Sequence, residues 1–127
     1  MKRYAVCLAL VVFMTVPLMA HAVEPADFEV QTTKNLLDLC AVSPEDNLYA
    51  EAINFCHGYL IGAYHYSEAS KKGPKAQSQI CMPKSGVSRN DTIDMFVKWA
   101  RANPQYHNEL PAETEFRFLT ETWPCPQ

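Results

Sequence analysis

No segment of this chain alternates apolar and polar residues convincingly enough to be a strand, and no HExxH pair appears. No glycine-rich loop follows a strand, and no serine or cysteine sits in a nucleophile motif. These absences argue against a sheet-built scaffold and leave zinc-protease, acyl-transfer and nucleotide-binding chemistries without their usual carriers. No two cysteines form Cys-x-x-Cys, and Cys56-His57 is a single adjacent couple, so the spacing of a structural zinc site is missing too. Positive charge is also scarce: 11 Lys and Arg against 14 Asp and Glu give a net −3, which argues against nucleic acid or an anionic membrane surface as the main partner. Without repeats, low-complexity tracts or a dividing linker, the chain reads as one domain.

What is present begins with an export signal. Lys2 and Arg3 precede an apolar run from Tyr4 to Val16, and Ala20-His21-Ala22 fits the small-x-small pattern cut by signal peptidase. The run is short for a membrane span and Pro17 interrupts it. Residues 1–22 are therefore expected to be a signal peptide, with a periplasmic domain over 23–127. Cys7 leaves with the signal, so five cysteines become four: Cys40, Cys56, Cys81 and Cys125. An even count in a short exported chain predicts two disulfides, and the loss of Lys2 and Arg3 makes the mature chain more acidic.

Helical periodicity accounts for most of the rest. Residues 23–30 read as an extended, mobile lead-in. A first helix is predicted over Thr32 to Cys40, with Leu36, Leu37 and Leu39 inward. Ser43-Pro44-Glu45-Asp46 reads as the cap and first turn of a long second helix, ended near Ser70 by Lys71-Lys72-Gly73-Pro74. Ser88-Arg89-Asn90-Asp91 opens a third helix with Ile93, Phe96, Val97 and Ala100 buried, and Pro104 closes it. Pro111 starts a fourth, with Phe116, Leu119, Thr120 and Trp123 as its stripe. The predicted fold is all-α, a compact bundle of about four helices stapled by two disulfides.

Phe55-Cys56-His57-Gly58-Tyr59-Leu60-Ile61-Gly62 is the densest signal in the second helix. Each glycine costs a helix roughly 1 kcal/mol against alanine, so Gly58 and Gly62, with Tyr59 between them, are expected to form a helix-packing face against another backbone. Helices three and four, joined by a short turn, should lie antiparallel and bring Cys81 and Cys125 to the same end. Cys40 is then left for Cys56. His57 and His65, two turns apart on the second helix, are expected to be packing or hydrogen-bonding residues rather than catalytic ones. The basic cluster Lys71, Lys72, Lys75 reads as a solvated loop.

Taken in order, Leu36-Leu37-x-x-Cys40, the Phe55 to Gly62 motif, Cys81-x-Pro83, Asn103-Pro104 near His107, and Trp123-Pro124-Cys125 resemble the Rap/Tai immunity protein family. The resemblance runs from about residue 32 to 125. It implies an all-helical, disulfide-bonded, often dimeric periplasmic protein that blocks a peptidoglycan-cleaving amidase delivered by type VI secretion. It further implies no enzymatic activity, no cofactor and no metal; the partner would be a protein, the amidase effector. Loops should make the contact, and Lys72, Lys75, Tyr106 and His107 are the expected partner-binding residues. The alternative from another class is a small acid-stress chaperone of helical fold, or an envelope protein of another role; three histidines in the mature chain are few for an acid switch.

Overall fold

A computed structural model describes residues 22–71 and 78–126. Four helices carry the domain: α1 over Thr33–Cys40, α2 over Tyr49–Ser70, α3 over Arg89–Ala102 and α4 over Pro111–Thr122. Among the described residues there is no strand, only one bridge between Ile80 and Pro124. The two disulfides are Cys40–Cys56 and Cys81–Cys125, with Cα separations of 5.2 and 4.9 Å. The first ties the end of α1 to α2. The second joins the two strand-like segments before α3 and after α4, where the Cys81 N–H also donates to the Trp123 carbonyl at 2.8 Å.

Local chemistry explains where the helices begin. Thr32 caps α1, and its side chain and that of Asn35 exchange bonds with each other's backbone N–H groups. Two further N–H groups of that first turn, on Thr33 and Lys34, donate to the Glu109 and His107 carbonyls at 2.9 Å, which binds α1 to the α3–α4 turn. Ser88 accepts from the Asp91 N–H at 3.1 Å and caps α3. Pro111 opens α4, where the missing N–H of proline goes unnoticed.

The beginning of α2 differs from expectation. Ser43 to Asp46 forms turns instead of a first helical turn: the Asp46 N–H donates to the Ser43 carbonyl, the Tyr49 N–H to the Asp46 carbonyl, and the Asp46 side chain accepts from Leu48 N–H at 2.8 Å. Those bonds offer the backbone a local alternative to helix, so α2 starts at Tyr49, after Leu48, without a side-chain cap. Residues 23–30 also depart from the extended lead-in. Pro25–Glu29 is a 3-10 turn held by buried Asp27, which accepts from Glu24 N–H at 2.9 Å and from the Asn35 amide at 3.1 Å. Val23 is buried beside it, and Phe28 meets Phe55 edge to face.

The core has two parts joined through α2. Leu36, Leu37, Cys56, Leu60, Phe96 and Phe118 belong to the larger, and Val23, Leu39, Val42 and Ala52 form the smaller. The buried stripe of α2 is Ala52, Cys56 and Leu60, one residue per turn. Gly58 and Gly62 each lie two residues past a buried one, about 200° round the helix, and both face solvent with no atom within 4 Å of where a Cβ would sit. The close backbone approach expected at the glycines is therefore not made in this chain. Tyr66, one turn past Gly62, is 73% exposed for the same angular reason. Tyr59 does pack: it is half-buried, stacks on Phe55 at 6.3 Å and borders the main core.

Candidate functional site

Where α2, α3 and α4 diverge they leave a cavity of about 250 Å³. Its walls are mostly apolar, with Leu60 and Ile61 from α2, Ile93 from α3, Phe118 and Leu119 from α4, and Met82 and Val87 from the segment before α3. The polar lining is His57, Tyr64 and His65 on α2, Arg89 and Thr92 at the start of α3, and Glu115 on α4. His57 Nε2 lies 3.2 Å from Asn90 Oδ1, and the His65 ring rests against Tyr64 at 5.9 Å. Both histidines occupy the side of α2 that borders the cavity; His57 is half-buried and within hydrogen-bond distance of Asn90, whereas His65 is exposed.

Glu115 is the unusual group. It is 1% exposed, and its Oε2 has no hydrogen-bond partner among the described residues. Burial pushes its carboxyl up to about 9, so it is uncharged at neutral pH. Tyr59 stands close to it from α2; burial raises the Tyr59 hydroxyl, the Glu115 charge adds to that, and the Ala112 backbone opposes it. A buried carboxyl without a partner is costly to keep, and such groups collect at functional sites.

The residues expected to touch a partner fall into two groups. Tyr106 and His107 are half-buried in the α3–α4 turn and already engaged. Tyr106 stacks on Trp99 at 5.8 Å with the Arg117 guanidinium 4.3 Å from its ring centre, and His107 Nε2 sits 2.9 Å from the Ala100 carbonyl. Their side chains hold the turn together. Lys72 and Lys75 lie outside the described residues; Lys71 beside them pairs with Glu68 and reaches Ser78 at 2.8 Å. Among the described residues no group of three or more His, Cys, Asp and Glu is placed to hold a metal.

Glu115 was not singled out from the sequence, although a signal existed. Pro111, Glu115, Phe118 and Leu119 follow helical three-and-four spacing, whereas the stripe predicted for α4 ran through Phe116 and Thr120, which are only partly buried. An acid on the apolar face of an amphipathic helix reads at first as a surface residue one register away.

This helical, doubly bridged scaffold is also what a family comparison recognises: residues 32–125 match the family described as Rap1a immunity proteins. The chain belongs to the Rap1a immunity protein family. Comparison with curated proteins and with solved structures returns no significant match. The match takes in Cys40, Cys56, Cys81 and Cys125, the Phe55 to Gly62 motif and the whole cavity lining, so both disulfides and the Glu115 cavity belong to the Rap1a domain. Rap1a proteins are immunity proteins for secreted toxins and generally act as non-catalytic inhibitors, which makes another protein the natural partner of the domain. Nothing in the match assigns a role to Glu115.

Proposed function

We propose that this Rap1a protein is exported to the periplasm and there neutralises a peptidoglycan amidase delivered by type VI secretion, by binding it and obstructing its active cleft. The family match over the disulfide-bonded domain carries this reading. Two disulfides suit an oxidising compartment, and no helix among the described residues is long and apolar enough to cross a membrane.

The start of the described chain supports the processing step. The Val23 backbone nitrogen donates to Asp46 Oδ2 at 3.0 Å, and the Val23 side chain is buried. In a chain cut after Ala22 that nitrogen becomes the α-ammonium, and the hydrogen bond becomes an ion pair. The acid-stress chaperone alternative fits less well. A fold carrying an uncharged buried Glu115 gains stability, not looseness, from that group as pH falls.

Affinity capture from periplasmic extract with the Val23–Gln127 chain tests the proposal. The expected catch is a cell-wall amidase bound at nanomolar affinity or better, through an interface near the standard size of about 1,600 Å², whose peptidoglycan cleavage stops on addition of the protein. Charge reversal at Lys72 and Lys75 should weaken that inhibition without changing the melting temperature. Recovery of unfolding clients at low pH, with no cell-wall hydrolase, would overturn the proposal.

A further inference from the structure

The cavity between α2, α3 and α4 has the features of a built site that the described residues leave unfilled. At about 250 Å³ it is smaller than the roughly 300–1,000 Å³ of pockets for drug-sized ligands and suits a single unbranched chain. Its walls are aliphatic and aromatic, and its lining includes the unpartnered, buried Glu115. The ion pairs found among the described residues, Lys34 with Asp38, Lys71 with Glu68, and Arg117 with Glu109 and Glu113, all leave Glu115 out. Arg89, which also lines the cavity, is exposed at the start of α3, so its charge is screened by solvent.

The choice of a carboxyl narrows the occupant. A neutral ligand would be served equally by glutamine, which has the same shape and hydrogen-bonds without a pH-dependent penalty. What glutamate adds is a negative charge when a cation arrives. We propose that this cavity binds an aliphatic chain ending in a protonated amine, with Glu115 as its counter-ion, and that the amine is a lysine side chain of the protein partner. The source rests on the immunity reading above; the amine chemistry does not. On binding, the neutral carboxyl gives up its proton to the solvent and pairs as carboxylate with the incoming ammonium; the only bond broken is the carboxyl O–H. The titratable groups around this exchange are Tyr59, His57, Tyr64 and His65 from α2 and Arg89 from α3.

The probe is n-pentylammonium, titrated into the mature protein by calorimetry at pH 7 in phosphate and in Tris. Saturable binding, with a heat that differs between the buffers by about one proton released per amine, is the expected result. The E115Q variant, which stays folded and gains stability, should bind the amine at least about 10-fold more weakly. Equal binding of n-pentanol, or unchanged binding by E115Q, would overturn the amine site, as would no binding at all. For the source, E115Q should also lose at least about 10-fold in affinity for the captured amidase. If the amidase binds both proteins equally, the partner lysine is ruled out while the immunity reading stands. If the amine binds but no hydrolase is captured, the immunity reading falls and the partner lysine falls with it.

Discussion

Two polar groups sit one residue apart on α4 and are buried to the same depth, yet the fold treats them in opposite ways. Thr114 is fully buried beside Thr33, their hydroxyl oxygens 2.8 Å apart, and Thr33 Oγ1 lies 3.1 Å from the Glu109 carbonyl. Both protons can be used, with Thr33 donating to the carbonyl and Thr114 to Thr33. Glu115, the next residue, has an oxygen that meets no donor among the described residues. The satisfied pair locks α1 against α4. The unsatisfied carboxyl borders a cavity, and its Oε2 makes no hydrogen bond to another helix among the described residues. Satisfaction, more than burial, therefore separates a structural polar residue from a candidate binding residue in this domain.

The largest expected effect is at Glu115. Its pKa is raised from 4.5 to about 9 in the fold, so the folded chain keeps a proton that the unfolded chain releases. Stability from this group is unaffected below about pH 4.5, falls as pH rises, and levels off above about 9. E115Q removes the penalty and should stabilise the protein by up to about 3 kcal/mol at pH 7, with no gain at pH 4. Urea unfolding across that pH range measures it, and a pH-independent difference would show that the Glu115 carboxyl titrates alike in the folded and unfolded chain.

The threonine pair should respond in the other direction. T33V strands the Thr114 hydroxyl, leaves the Glu109 carbonyl with only the Thr33 N–H, and should cost about 1–3 kcal/mol, whereas the T33V/T114V double variant should cost less than the sum of the singles. Additive losses in a double-mutant cycle would mean that the two hydroxyls do not act together, and the contrast with Glu115 would weaken.

Smallest of all should be D46N, because Asp46 is only partly buried and its bonds to backbone N–H groups lie near the surface. The Leu48 N–H, then the Val23 N–H, hold its carboxyl below the usual range, so whatever stability it lends is present above pH 3.8 and lost as pH falls through the lowered value. In protein cut after Ala22, the ion-pair part should also fade above about pH 8 as the α-ammonium deprotonates. A melting temperature that is the same for D46N and wild type at pH 6, in protein sequenced as beginning at Val23, would remove the terminal ion pair from the account.

Much of this domain was determined by the sequence alone, because the forces involved act over a few residues. Thr32, Ser88 and Pro111 set three helix starts through caps and proline geometry, and the count and placement of cysteines led to both disulfides. Periodicity also placed Leu36, Ile93 and Phe96 inward. Tertiary structure decided the rest. Gly58 and Gly62 turned outward because the stripe of α2 that α1 and α4 cover runs through Ala52, Cys56 and Leu60, and a residue's facing is fixed only when its neighbours are. Tyr106 and His107 became internal braces because the turn folds back onto α3 and α4. Glu115 acquired its raised pKa from three helices meeting around it. Desolvation is a property of the assembled surroundings, and no local pattern of residues encodes it.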